Sequence, residues 1–200
     1  MAQPDGSAEA QEILYGLHAV REALKAGNRP LQRVLVLRTD KQFTDVVQLA
    51  RSQRVPIHVQ PLASFDRLVP NGKHQGVVAF AAAKAYQTEE SILARAAQRN
   101  EPPLLVILDG VEDPHNLGAV LRTAEGAGAH GVFIPERRAV GLNETVAKSS
   151  AGATEYVKVA KVTNLNRLIE DLKKCNVWVV GTSVETDRSY TDWDWNQPTA

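Results

Sequence analysis

Asn116 and Arg122 stand six residues apart in LLVILDGVEDPHNLGAVLRTAEGAGAHG, residues 104–131, where an apolar strand runs through a turn into a helix. The region just beyond the carboxyl end of a strand is where open α/β sheets hold ligands and catalytic groups. An amide there can position a reacting group by hydrogen bonding, and a guanidinium can grip a phosphate through its planar fork. Each residue also has a purely structural use. Asn116 is a good helix N-cap, and Arg122 is spaced to pair with Glu125 three residues on. Gly118, Ala119, Ala124, Gly126 and Gly128 keep this helix thin, so another backbone or a second subunit can approach it closely.

Other chemistries find less support. Gly126, Gly128 and Gly131 spell G-x-G-x-x-G, but they close a helix and precede the strand Val132 to Ile134. A dinucleotide loop needs the reverse order, so these glycines read as a helix stop and a turn. Ser149 and Ser150 have no His-acid pair placed to activate them. His18, His58 and His130 read as structural or surface residues, and no cluster has metal-ligand spacing.

The elements that must position the pair follow from periodicity. Leu17, Val20, Ala23 and Leu24 mark a helix that stops at Gly27. A strand over Leu31 to Leu37 comes next, then a helix through Phe43, Val46, Val47 and Ala50, a strand at 55–59, and a third helix opened by Pro61. A turn at Pro70-Asn71-Gly72 precedes His74-Gln75-Gly76 and the strand Val77 to Ala82. Further on, strands are expected at 104–111, 131–135, 156–160 and 177–182, and helices at 117–127, 143–150 and 164–174. This alternation implies a parallel sheet with right-handed crossovers. The expected division is a disordered tail at 1–13, a small α/β domain at 14–84, a linker with one short helix at 85–103, and a second α/β domain at 104–200.

At 44% hydrophobic and 23% charged, the 200 residues have the composition of an ordinary globular protein. No apolar run approaches the ~20 residues of a membrane helix. The polar, acidic MAQPDGSAEAQE is no secretory signal, and a lone Cys175 fits a reducing compartment, so a cytoplasmic location is expected. The zero net charge hides an asymmetry. Residues 1–85 hold eleven Lys/Arg against seven Asp/Glu, whereas 101–200 hold ten against fourteen. A basic front is compatible with a polyanionic partner and equally with solvated surface charge.

DPHNLGAVLRTAEGAGAHGV resembles the first motif of the SpoU (TrmH-like) branch of the SPOUT methyltransferases. YGLHAVREAL and HQGVVAF are similar to the substrate-binding domain of bacterial 23S rRNA (guanosine-2′-O)-methyltransferases in that branch, and KSSAGATEYVKV, VTNL and VVGTSVETD to their catalytic domain. The resemblance covers nearly the whole chain after the tail. It implies a small α/β RNA-binding domain followed by a parallel-sheet α/β domain of the α/β-knot type. It also implies S-adenosylmethionine as methyl donor, a ribose 2′-hydroxyl of rRNA as acceptor, and a homodimer.

By the same resemblance, Asn116 and Arg122 are the catalytic pair, while Gly181, Thr182 and Ser183 form a loop approaching the cofactor. Arg21, Arg33, His74, Gln75, Arg137, Arg138 and Lys148 are the expected RNA contacts. The resemblance casts Arg122 as a base, but a guanidinium with a pKa above ~12 accepts protons poorly. A phosphate clamp that orients the ribose and stabilises alkoxide charge suits it better. The family's two further motifs, a Gly-rich turn with Glu and a Ser-Leu-Asn segment that forms the knot, have no counterpart before Ala200. The resemblance therefore implies an incomplete cofactor pocket and an inactive 200-residue chain, with Trp193 and Trp195 on an exposed apolar edge. The alternatives are a non-catalytic RNA-binding fragment and a tRNA-directed relative.

Overall fold

The computed structural model describes residues 11–200. The chain divides into two compact units. One takes the described residues to Ala85 together with Leu142–Glu155, and the other takes Tyr86–Gly141 with Tyr156–Ala200.

The first unit is built on a four-stranded sheet of β1 (Gln11–Tyr15), β2 (Leu31–Val36), β3 (Ile57–Val59) and β4 (Val77–Ala82) in the order β1-β4-β2-β3. β4 runs antiparallel to both its neighbours, and β2 and β3 are parallel. Alternation along these strands sends Leu14, Val34, Val36, Val77, Ala79 and Ala81 to one face. There they meet Val20, Ala23 and Leu24 of α1 (Leu17–Ala26) and Val46, Val47 and Ala50 of α2 (Thr44–Ser52). Gly27 ends α1 in the left-handed conformation at φ 60°, as its position predicts. On the opposite face the short α3 (Leu62–Leu68) brings Phe65 onto Tyr15, Leu35 and Val78.

Two boundaries differ from expectation. The tail expected to reach residue 13 gives way to β1 from Gln11, whose residues pair in register with β4 from Gln11↔Ala82 to Tyr15↔Val78. A strand opening on Gln-Glu shows its polarity before its alternation, which hid it among tail residues. The segment expected as a linker at 85–103 contains α4 (Glu89–Arg99), capped by Thr88, whose hydroxyl accepts Ser91 N–H at 3.2 Å. Ile92 and Ala96 on α4 are buried in the second unit's core, so this helix is an integral layer.

The second unit carries the parallel sheet β5-β6-β7: β5 (Leu105–Ile107), β6 (Gly131–Pro135) and β7 (Val159–Val162). Ile92, Leu105, Phe133, Leu168, Leu172 and Val177 form its core, each side chain worth ~1.5–3 kcal/mol on full burial. Leu168 and Leu172 come from α7 (Leu165–Lys174), capped by Asn164. The expected strand at 177–182 is reduced to bridging contacts. Residues 198–200 lie between it and β5, with Leu105 N–H donating to Thr199 O at 2.9 Å and Trp178 N–H to Pro198 O at 2.9 Å. Trp193 folds back, its ring edge-on to Trp178 at 5.8 Å and its Nε1 donating to Thr199 Oγ1 at 3.1 Å. Trp195 and Trp178 stay half exposed.

The segment Leu142–Glu155 lies within the sequence of the second unit yet packs in the first. It holds α6 (Glu144–Ser149), capped by Asn143 through Val146 N–H at 2.9 Å, and places Ala147 in the first unit's core. At its end Glu155 accepts from Arg29 Nη2 at 2.7 Å, while Arg29 Nη1 donates to Ala82 O at 3.0 Å and pairs with Glu12. Lys84 Nζ lies 3.8 Å from Glu155 Oε2.

Candidate functional site

α5 (Pro114–Gly126) positions the central pair. It starts earlier than expected, and Asn116 is not its cap. Asp113, extended at ψ 122°, accepts His115 N–H at 2.7 Å, and Pro114 takes the first helical position. A residue before proline is held out of the helical region, while proline's missing N–H costs nothing at a helix start. Asp113-Pro114 is therefore a cap followed by a first turn. Asn116 lies inside that turn with its side chain exposed, which removes the structural explanation for it.

Leu117, Leu121 and Ala124 anchor α5 by burial. Asn116, Ala119 and Arg122 follow one another at three-residue steps, so they form a ridge along the helix with a small residue between the polar ones. Arg122 is exposed and, among the described residues, has no ion pair; the spacing to Glu125 does not become a contact. Two polar side chains with no internal partner on a firmly anchored helix are free to meet a ligand.

Beside this ridge lies a predominantly apolar cavity of about 690 Å³, walled by β5, by Ala119 and Thr123 of α5 with its C-cap Ala127, and by Val179 to Thr182. Gly181 and Thr182 thus reach the same cavity as α5, and the space over Gly181 is open, with no atom within 4 Å of where a Cβ would stand. Ser183 does not line it. Its hydroxyl accepts Glu185 N–H at 3.1 Å and closes a local turn. Arg137 and Arg138 are exposed after β6, Arg138 in the left-handed region at φ 55°.

The expected RNA contacts in the first unit fare unequally. His74 stacks on Phe65 at 5.4 Å, pairs through Nε2 with Asp66 at 3.1 Å, and accepts Gly76 N–H at Nδ1. Gln75 accepts Leu17 N–H at 3.1 Å and so serves as the polar cap α1 lacks from Gly16. Lys148 donates to Gln75 Oε1 at 3.1 Å and to Lys73 O at 2.7 Å; burial, then Lys73, holds its ammonium below the usual lysine range. These three side chains are engaged by the protein itself. Arg21 is held by Glu22 and His18. Arg33 stays exposed, its guanidinium 4.1 Å over the Phe80 ring.

The buried charge cluster around Glu155 escaped the sequence, since Arg29, Lys84, Glu12 and Glu155 are scattered along 144 positions and their pairing exists only in the fold. His130, read as structural, is buried. Its Nδ1 accepts Leu104 N–H at 3.0 Å and its Nε2 faces Glu101 at 3.0 Å, so it fastens the start of β5. Among the described residues no group of His, Cys, Asp or Glu is arranged to hold a metal, and no helix is long and apolar enough to cross a membrane.

Comparison with known proteins gives two family matches. The SpoU rRNA methylase family matches residues 103–200, and the RNA 2′-O ribose methyltransferase substrate-binding family matches residues 13–87. A TrmH-family tRNA/rRNA methyltransferase of Bacillus subtilis is 42% identical over 193 residues, covering 96% of this chain and 77% of the relative. A Staphylococcus saprophyticus relative of the same description is 39% identical over 188 residues, covering 93% of this chain and 75% of its own length. Among solved structures, the SpoU methyltransferase AviRb from Streptomyces viridochromogenes in complex with AdoMet superposes with a TM-score of 0.73 at 22% identity, covering 94% of this chain and 71% of that one. At that identity the likeness shows the fold.

Proposed function

The chain belongs to the SpoU (TrmH-type) family of RNA methyltransferases, and from that premise we propose that it methylates a ribose 2′-hydroxyl of RNA with S-adenosylmethionine as donor and rRNA, a 23S guanosine, as acceptor. The observation that carries this reading is the exposed, unpaired Asn116 and Arg122 on a ridge next to a cavity rimmed by Gly181 and Thr182.

The cavity suits the cofactor in kind. It is mainly apolar, it is of a size usual for small-molecule sites, and a glycine leaves its rim open. Gly181 and Thr182 would hold the donor, which supplies an electrophilic sulfonium methyl when bound. Arg122 would grip a phosphate and set the ribose in line, the proximity contribution to the rate. Its fixed positive charge would also stabilise the alkoxide that develops as the hydroxyl loses its proton. Asn116, in the first turn of α5, would hydrogen-bond the hydroxyl or steady Arg122. Arg137 and Arg138 would extend the phosphate-binding surface, and the small exposed residues of α5 suit close approach of a second copy in a homodimer.

The test is transfer of a labelled methyl group from S-adenosylmethionine to purified ribosomal RNA, followed by digestion to nucleosides. The expected product is 2′-O-methylguanosine. Label on tRNA would move the substrate to the other class that the relatives' names carry. Label on a base would overturn the reading, and label on neither RNA would favour the inactive 200-residue chain that the resemblance implies.

A further inference from the structure

The face of the first unit's sheet that α3 covers is covered at one end only. Phe65 of α3 packs with the Tyr15–Val78–Leu35 row, where the three strands β1, β4 and β2 stand side by side. The next row on the same face is Ile13–Phe80–Arg33, fixed by the registers Ile13↔Phe80 and Arg33↔Phe80. Arg33 Cζ stands 4.1 Å over the centroid of the Phe80 ring, and Phe80 is buried in one cluster with Tyr15, Phe65 and Val78. Arg33 is itself exposed and, among the described residues, has no ion pair, so its guanidinium is open to a further partner. Beyond it a register shift at Leu31/Arg33 leaves Gln32 unpaired in the ladder. Its Oε1 accepts from Gln11 Nε2 at 2.8 Å, both amides exposed.

We infer that this open row is a stacking platform for an unpaired RNA base: the base lies on the outer face of the Arg33 guanidinium, and the Gln11–Gln32 amide pair meets its edge. The inference rests on the RNA-substrate reading above and names the nucleotide state that the first unit selects. A guanidinium already held over an aromatic ring has given up part of its rotational freedom before the base arrives. Bases stack on arginine planes as they do on aromatic rings, and only unpaired bases present a free π-face. The unit's excess of Lys/Arg supplies the phosphate attraction that brings such a strand to the sheet.

Arg33→Lys separates the plane from the charge. The probes are a labelled RNA hairpin with 2-aminopurine in its unpaired loop and the same RNA annealed to its complement, titrated with the full chain at several salt concentrations. Arg33→Lys is expected to weaken loop binding about ten-fold and abolish the 2-aminopurine quenching that wild type produces. The salt slope and the duplex affinity are expected to stay unchanged, because lysine keeps the positive charge. Phe80→Leu, which removes the ring under the guanidinium, is expected to lower quenching with the charge still in place. Loop binding and quenching by Arg33→Lys equal to wild type would overturn the platform while leaving RNA binding intact. Equal losses on loop and duplex RNA would also overturn it. Failure of wild type to bind either RNA would remove both the platform and the reading on which it rests.

Discussion

Charged and polar side chains gather in two places that behave in opposite ways. Around Glu155 in the first unit, Arg29 and Glu155 are almost wholly buried and bonded to one another, and Lys84 and Glu12 close the group. On α5 in the second unit, Asn116 and Arg122 are exposed and make no ion pair. The difference separates structure from function. A buried ion is tolerated only when partners replace its water, and here the ion pairs do most of that, although Arg29 Nε and Glu155 Oε2 lack a hydrogen-bond partner among the described residues. A rigidly mounted, unpartnered polar pair has no such internal explanation.

The largest expected effect tests the buried group. Arg29→Ala should lower stability by about 3–5 kcal/mol in urea denaturation, because it strands two carboxylates. Replacing the buried pair together, Arg29→Met with Glu155→Leu, should recover much of that loss. Equal losses for the single and double variants would mean the charges act separately and would undo half of the contrast.

The helix start gives the next contrast. Asp113→Ala should cost about 1 kcal/mol as a lost cap. Asn116→Ala should stay within about 0.5 kcal/mol of wild type while methyl transfer falls. A reversed order would restore Asn116 as the structural residue. Arg122→Lys sharpens the functional side: it should leave the denaturation midpoint in place and reduce transfer, since lysine lacks the bidentate fork. Near-normal transfer by this variant would remove the clamp.

The smallest effect concerns Lys84, which burial holds below the usual lysine value in spite of Glu155 beside it. A lysine lowered on folding binds its proton more tightly when unfolded. Its contribution is therefore unfavourable at neutral pH and recovers as pH rises through the folded value towards 10.5. Wild type should accordingly gain stability relative to Lys84→Met over that alkaline window. A difference that stays flat with pH would show that Lys84 is not desolvated.

Most elements were legible because their signals are local. Val20, Ala23 and Leu24 recur at helical spacing, Gly27 stops the helix, and the valine-rich run Val77 to Ala82 is a strand by composition alone. The glycines 126, 128 and 131 fell at a helix end, a turn with φ 76° and a strand start, as their order required. Asp113-Pro114 was legible too, had the cap and first-turn preferences been weighed ahead of the run of apolar residues that starts at Leu117. The internal hydrogen bonds of His74, Gln75 and Lys148 were not. Gln75 and Lys148 bond to groups distant in sequence, and His74 bonds to Asp66 and Gly76 across a turn, contacts that their polarity alone does not announce.

By itself the sequence determined the order of helices and strands and the family, and it singled out Asn116 and Arg122 as candidates, because periodicity, turn chemistry and motif spacing are written along neighbouring residues. Only the tertiary structure decided that α4 is core, that Leu142–Glu155 packs in the first unit, and that Arg33 stands over Phe80. Those choices depend on which distant groups exclude water from one another, and that competition is settled across the whole fold.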